Sequence, residues 1–487
     1  MRESLDLACE NLRGLVLEAS DEYFAPAQNL LCPSTPRPGT LGTQPRDGWV
    51  TRRRRGAGHD WVIVRLGVPG IVEEVVLETT HFLGNYPPEA EVEGCVARHN
   101  AHASELSEWV TIVSRTDLGG DRLNRFRVTD RGRFTHLRLK VYPDGGIARL
   151  RVLGQPVPNW MAPGTQQNTV MDLAATVNGG YVQSASDHHY GDPGNLLMPG
   201  DGRDQSQGWA TQRRRESGND WAVVRLVGPG KIHSVTLDTA HFNGNHPDEV
   251  QLEASRAQDP GEEDWFELIP RQRLIGHTEH VFREEVRANS EVLWVRLNIF
   301  PDGGVSRLRV WGELSSTGYE EARLLYLNSS NPHTLRTLLR QVCHSHRWVD
   351  ELIALAPYSD LNELLKKGAR AWSKCGESDW KEALDGHPRI GEKAKGANLS
   401  ARWSKGEQSG ASGSQDDLIK AELLRKQEEY FQKFGFIFLV CATGKSSEEI
   451  LEAAVRRLGN TPGVELQTVA EEQSKIIHLR LEKLLKS

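Results

Sequence analysis

The chain has 487 residues, 38% hydrophobic and 26% charged, with a formal net charge of −7, a pI near 6.2 and a mean hydropathy of −0.51. These values fit a soluble globular protein of about three domains, and the acidic balance argues against a nucleic-acid partner despite local arginine density. No stretch approaches the roughly 18 consecutive apolar residues of a membrane helix. Six scattered cysteines (Cys9, Cys32, Cys95, Cys343, Cys375, Cys441) without a CxxC pair suggest neither a zinc ribbon nor a disulfide framework. The opening "MRESLDLACE" lacks the apolar run of a signal peptide. A cytoplasmic protein with reduced thiols and no membrane partner is expected, and homo-oligomerisation is left open.

In chain order, the first blocks are "SDEYFAPAQNLL" from Ser20, "GWVTRRRRGAGHDWVIVRL" from Gly48, "LETTHFLGNYPPE" from Leu77 and "YPDGGIARLRVLG" from Tyr142. Each returns in the same order, as "SDHHYGDPGNLL", "GWATQRRRESGNDWAVVRL", "LDTAHFNGNHPDE" and "FPDGGVSRLRVWG". The offset drifts from 166 (Ser20 to Ser186) through 160 (Gly48 to Gly208) to 158 residues (Tyr142 to Phe300). A repeat this long is a duplicated domain, not a solenoid. Within each copy, "WVIVRL", "EEVVLET", "FTHLRLKVY" and "ARLRVLG" are short runs rich in Val, Leu and Ile, bounded by Gly, Pro, Asn and Asp turns. Two tandem β-sandwiches of jelly-roll type are expected, over 1–160 and 161–317.

From about residue 318 the periodicity changes. "SSNPHTLRTLLRQV" has an Asn331 cap, Pro332 in the first turn and apolar residues at helical spacing. "DLNELLKKGARAW", "DDLIKAELLRKQEEYFQKF", "SSEEILEAAVRRLG" and "VELQTVAEEQSKIIHLRLEKLL" continue in the same period, the third with a Ser446/Glu449 capping box and a Gly459 stop. An all-α domain over 318–487 is expected.

Polar residues that recur in both copies carry the chemistry: Asp21/Asp187, Arg53/Arg213, Arg54/Arg214, His81/His241, Asn85/Asn245, Asp144/Asp302 and Arg149/Arg307. Plain alternatives stand beside each. "PDGG" is first of all a turn, alternate arginines on a strand face water, and a histidine ending a strand is often structural. Against these, "THF" and "AHF" are each followed by a Gly-Asn turn that would expose an imidazole at a rim. The blocks together resemble allantoicase over about residues 5 to 315. That resemblance implies two jelly-roll (galactose-binding-like) repeats hydrolysing allantoate to (S)-ureidoglycolate and urea. A carboxylate flanked by ureido groups calls for a planar cationic fork, and expelling urea requires proton transfer. Arg53, Arg54, Arg213 or Arg214 is expected to clamp the carboxylate, with Asn85 and Asn245 beside the substrate. His81 or His241, with Asp21 or Asp187, is expected to handle protons. A divalent metal ion is admissible for this half, although no HExxH-type spacing is present and its ligands are unknown.

In the helical part, "DGHPRIGEKA" places His387 before a proline that cannot continue a helix. "WSKGEQSG", "KFGFIFLVCATGKS" and "IIHLRL" follow. Taken singly, a surface histidine and a solvated acid are the alternatives. In this order the motifs resemble 2-oxo-4-hydroxy-4-carboxy-5-ureidoimidazoline (OHCU) decarboxylase over about residues 322 to 485. The resemblance implies His387 as general acid, Glu407 with it at the catalytic centre, and Pro388, Ser404, Gln408, Arg480 and the stretch Leu439, Val440, Cys441, Ala442 and Thr443 against the substrate. It also implies formation of (S)-allantoin with no cofactor. "ATGKS" is not a nucleotide-binding loop, because Leu439 stands where that pattern needs glycine.

The expected function is thus a bifunctional enzyme of urate breakdown acting on allantoate and OHCU. The rival is a pair of carbohydrate-binding jelly rolls fused to a helical interaction or regulatory domain. It is weakened because Trp49, Trp61, Trp209 and Trp221 sit where core residues would, while the duplicated polar set is Arg, His and Asp.

Overall fold

The computed structural model describes residues 5–39, 47–162, 168–287, 290–387 and 414–486. They form two compact units, Met1–Ser329 and Ser330–Ser487.

In the first unit both copies have the same topology. Strand Asp60–Glu78 is central to copy one. It pairs with Leu15–Ala19 and Arg133–Tyr142 through its first half and with Leu123–Arg127 and Arg149–Pro156 through its second. The register with Arg133–Tyr142 shifts between Arg65 and Gly70, so one long strand serves two sets of neighbours and closes the sandwich. Glu89–Cys95 and Val110–Asp117 extend the sheet beyond Arg133–Tyr142. Asp220–Asp238 repeats these roles in copy two. Alternation puts Val62, Val64, Leu66 and Val68 into the first core, and Ala222, Val224 and Leu226 into the second. Glycine is required where the chain passes against a buried ring: a Cβ on Gly304 would lie 2.0 Å from the Phe242 ring, and one on Gly146 2.2 Å from Phe82.

Trp49 and Trp209 are fully buried, whereas Trp61 and Trp221 are half-buried. Each buried indole donates to the carbonyl of Asp21 or Asp187, at 2.8 and 2.9 Å, which ties the "SD" loop to the core.

Eight helices follow among the described residues: α1 Ser316–Ser329, α2 Pro332–Val342, α3 His346–Ala354, α4 Leu361–Ser373, α5 Glu377–Leu384, α6 Ser414–Phe434, α7 Ser447–Arg457 and α8 Pro462–Lys486. Helix α1 belongs to the first unit. Its Tyr319 and Ala322 join the second core, and the Arg133 guanidinium lies 5.3 Å over the Tyr326 ring. The expected caps are present: Asn331 accepts from Thr334 N at 2.8 Å, and Ser446 with Glu449 closes a capping box. In the second unit α8 is the packing axis. Trp372 donates to the Ala470 carbonyl at 3.0 Å, and a Cβ on Gly368 of α4 would meet Leu481 at 2.6 Å. No described helix is long and apolar enough to cross a membrane.

His136 in strand Arg133–Tyr142 is fully buried, with Nδ1 2.8 Å from Thr135 Oγ1. Burial first, then Arg65 and His99, push it down from 6.5 to about 4. The unfolded chain takes up this proton first, so the stability contributed by the neutral ring is complete above about pH 6.5 and is lost as pH falls toward 4, by up to about 3 kcal/mol. The urea midpoint of the β unit is expected to be lower at pH 5 than at pH 7, and His136→Gln to narrow that gap. An unchanged gap in the variant would count against this assignment.

Candidate active sites

In both copies the arginine cluster is an extended rim segment, not a strand. It runs between the two-residue strand Trp49–Val50 or Trp209–Ala210 and the long central strand. Its geometry is set by a carboxylate. In copy two, Asp220 is buried at 2% exposure, and its Oδ1 accepts from Ser186 Oγ at 2.9 Å and from Arg214 Nη1 at 2.8 Å. The Arg214 backbone N–H donates to Asp302 Oδ2 of the "PDGG" turn at 2.8 Å. Copy one repeats this through Asp60, Ser20, Arg54 and Asp144, at 3.0, 2.6 and 2.7 Å. The turn also reaches the histidine loop, since Gly304 N donates to Asn245 O and Gly146 N to Asn85 O, each at 2.8 Å. Asp144 and Asp302 therefore join two blocks and do more than turn the chain.

Around this frame in copy two lies a cavity of about 770 Å³ lined by Asp187, Tyr190, Arg213, Arg214, Arg215 and Asp220, among others. Of the sequence candidates it brings together Asp187, Arg213 and Arg214. Arg213 is exposed and has no ion-pair partner among the described residues. His241 and Asn245 do not line the cavity. His241 N donates to His277 Nδ1 at 2.9 Å and its carbonyl accepts from Gln205 Nε2 at 2.8 Å. His81 N donates to Asp121 Oδ1 at 2.7 Å, and its Nε2 is 3.3 Å from Pro36 O. Both histidines are left-handed, with φ of 69° and 68°, a conformation that non-glycine residues rarely adopt and that both copies keep. Arg149 is fully buried and held by Asp47 and Ser34 at 2.9 and 3.0 Å. It anchors a loop.

The copies differ at the aspartate. Asp21 Oδ2 accepts from both the backbone and the Nε of Arg52, at 2.7 and 3.1 Å, and Oδ1 from Tyr23 N at 3.0 Å. Burial would raise its pKa, but the Arg52 and Tyr23 hydrogen bonds outweigh that and lower it. Gln212 stands in the place of Arg52, and the Asp187 carboxylate accepts only backbone N–H groups from His189 and Gln212, at 2.6 and 2.9 Å. Arg53 is exposed, as Arg213 is.

In the helical unit, His387 follows α5. Burial first, then Arg480 and His344, push its pKa down to about 3, so the imidazole is neutral near pH 7. Arg480 of α8 is buried, with Nη1 3.4 Å from the Val342 carbonyl. The structure thus brings His387 and Arg480 together, with His344, whose ring lies 2.2 Å from where a Gly386 Cβ would stand. The stretch Leu439, Val440, Cys441, Ala442 and Thr443 runs alongside. Leu439 and Cys441 pack with Leu384, Val469 and Ile476, Cys441 N donates to Glu472 Oε2 at 2.7 Å, and Leu439 O accepts from Arg457 Nη1 at 2.8 Å. Arg457 is fixed by buried Glu465 at 2.8 Å, which also accepts from Asn460 at 2.7 Å and from the Tyr430 hydroxyl. Pro388, Ser404, Glu407 and Gln408 lie outside the described residues.

Sequence reasoning missed Ser20/Ser186 and Asp60/Asp220, although both pairs recur and could have been found by the criterion applied to their neighbours. It also missed His344, beside His387. Among the described residues no group of three or more His, Cys, Asp and Glu is placed to hold a metal ion.

A duplicated sandwich with an arginine-rich rim, followed by a helical unit with its own His–Arg centre, defines a two-site enzyme. The allantoicase-repeat family model matches residues 5–157 and 171–315, and the OHCU decarboxylase model matches residues 328–482. The chain belongs to the allantoicase family and carries a C-terminal OHCU decarboxylase domain, joining a hydrolase and a lyase of purine catabolism. It is 44% identical to a probable allantoicase 1 of Burkholderia mallei, over 64% of this chain and 95% of that one. The crystal structure of allantoicase from Saccharomyces cerevisiae is similar, with 36% identity, 64% and 93% coverage and a TM-score of 0.56. A crystal structure of OHCU decarboxylase in the presence of (S)-allantoin shares 30% identity over 30% of this chain and 96% of that one, with a TM-score of 0.26.

Removing one partner of a buried charge pair leaves the other uncompensated. Glu465→Gln is therefore expected to destabilise the helical unit by roughly 3–5 kcal/mol, read as a lower urea midpoint for its unfolding transition; a midpoint equal to wild type would contradict the role given to this network.

Proposed function

We propose that the cavity of copy two hydrolyses allantoate to (S)-ureidoglycolate and urea, and that the His387 centre converts OHCU to (S)-allantoin. The observation that carries the first reading is an exposed Arg213, with no ion-pair partner among the described residues, in the same cavity as Asp187 and the Asp220-anchored Arg214. A guanidinium binds a carboxylate through two parallel N–H bonds, so Arg213 takes the substrate carboxylate and Arg214, held rigidly, borders it. Asp187 accepts the proton of the attacking water. The hydroxyl joins the α-carbon, the C–N bond to one ureido group breaks, and that nitrogen receives the proton as urea leaves. His241 is the second candidate for proton transfer, and Asp21, Arg53, Arg54, His81 and Asn85 are the copy-one counterparts. The divalent ion entertained for this half is read from the same assay after exhaustive chelation.

In the helical half, Arg480 pairs with the substrate carboxylate, whose charge offsets the cation that depresses His387. As the C–C bond breaks, carbon dioxide leaves and the electron pair passes into the substrate's ring imine. His387 then delivers a proton to one face, which sets the configuration. No cofactor is needed, because the ring supplies the electron sink. Glu407, Gln408, Pro388 and Ser404 complete this reading. Six free cysteines, five of them buried, fit a reducing compartment, and we assign the protein to the cytoplasm.

Arg213→Ala is expected to raise KM for allantoate about 10–100-fold, the loss of one charge-assisted pair, with kcat changed far less; a wild-type KM would refute the clamp. His387→Ala is expected to reduce (S)-allantoin formation to the spontaneous, non-stereoselective rate, followed by circular dichroism. Retention of the enzymic rate would refute the general acid.

A further inference from the structure

Helix α8 presents Val469, Ile476, Ile477 and Leu481 as buried apolar residues. Two buried polar residues interrupt that face, Gln473 and Arg480, each 1% exposed. They are seven residues apart, which places both on one side of the helix. Arg480 has the Val342 carbonyl for a partner. Gln473 has none: neither its Oε1 nor its Nε2 finds a hydrogen-bond partner. His387 and Cys343 are near enough to feel its amide as a weak side-chain contact, but neither forms a hydrogen bond of good distance and angle with it. A carboxamide buried without partners costs stability, and native folds seldom keep one without a reason. An apolar residue would serve the α8 packing better. What distinguishes this position is its neighbours, a neutral imidazole and a buried guanidinium.

We propose that Gln473 is a substrate-binding residue of the decarboxylase half, its carboxamide pairing edge to edge with a ureide edge of the substrate while Arg480 takes the carboxylate. This rests on the decarboxylase reading above and adds to it the group that recognises the rest of the molecule. A ureide presents a carbonyl acceptor beside an N–H donor, and a primary amide is the neutral side chain that offers the complementary pair at the same spacing. Being neutral, it leaves the Arg480 charge for the carboxylate. A site built to hydrogen-bond such an edge also rejects analogues that lack it, because its own polar atoms are then left unpaired.

The test uses the full-length chain with Gln473→Leu and Gln473→Glu. For Gln473→Leu, kcat/KM on OHCU is expected to fall about 100-fold, while the thermal midpoint of the helical unit stays level or rises, since an unpaired buried amide has been removed. Millimolar (S)-allantoin is expected to raise the wild-type midpoint and to leave that of Gln473→Leu unmoved. Gln473→Glu keeps the shape, loses the donor and competes for Arg480, so its loss is expected mainly in KM. Wild-type kcat/KM in Gln473→Leu, or a loss of activity matched by a fall in thermal midpoint without (S)-allantoin, would overturn the assignment. A wild-type chain that does not accelerate decarboxylation would remove the underlying reading and this inference with it, whereas an active wild type with an unaffected Gln473→Leu overturns Gln473 alone.

Discussion

A carboxylate withdrawn from water at the first residue of the long strand, Asp60 in one copy and Asp220 in the other, governs the β half of this molecule. Such a group is tolerated only when paired, and it recruits the same two partners each time, a serine hydroxyl from the "SD" loop and the rim arginine Arg54 or Arg214. That arginine is then unavailable for anything mobile. Its backbone N–H is also claimed, by Asp144 or Asp302. The neighbouring Arg53 or Arg213 is left exposed, on a segment that two carboxylates have already fixed. Scaffold and site are therefore one set of contacts, and the recurrence of these residues in both copies needs no separate explanation.

The helical half solves a different problem. In its stretch 439–443, Leu439 O and Cys441 N are both engaged by side chains, from Arg457 and Glu472. Those side chains come from α7 and α8, and the Glu465 network fixes Arg457 in turn. The neutral state of His387 follows from the same crowding, since burial and Arg480 act in one direction. An anionic ligand reverses the second of these influences.

The tandem repeat, the change from strand to helix near residue 316 and the helix caps were all legible in the sequence, because each depends on residues close together along the chain. Asn331, Ser446 and the alternation of Val62, Val64 and Leu66 are of this kind. The sequence also singled out Asp187, Arg213 and Arg214, which line one cavity in copy two. What was not legible is which partner each polar group takes. Ser20 meets Asp60 across 40 residues and Arg54 meets Asp144 across 90, and nothing local encodes such pairings. Asp60 and Asp220 were passed over because they open an apolar run and read as strand. His81 and His241 recur as the arginines do, but His241 is not among the residues that line the copy-two cavity. Gln473 was hidden in the polar run Glu471, Glu472, Ser474 and Lys475, where an amide reads as surface.

The exchange of Arg52 for Gln212 has a consequence that reaches past either rim. Identical subunits related by a two-fold axis must alter both faces whenever one is altered. Two copies covalently joined in a single polypeptide escape that bond. One can keep its acid paired with a guanidinium, while its sibling holds the same acid through backbone N–H groups with no described cation on it, and divergence of this sort is open only to a chain that contains its own duplicate.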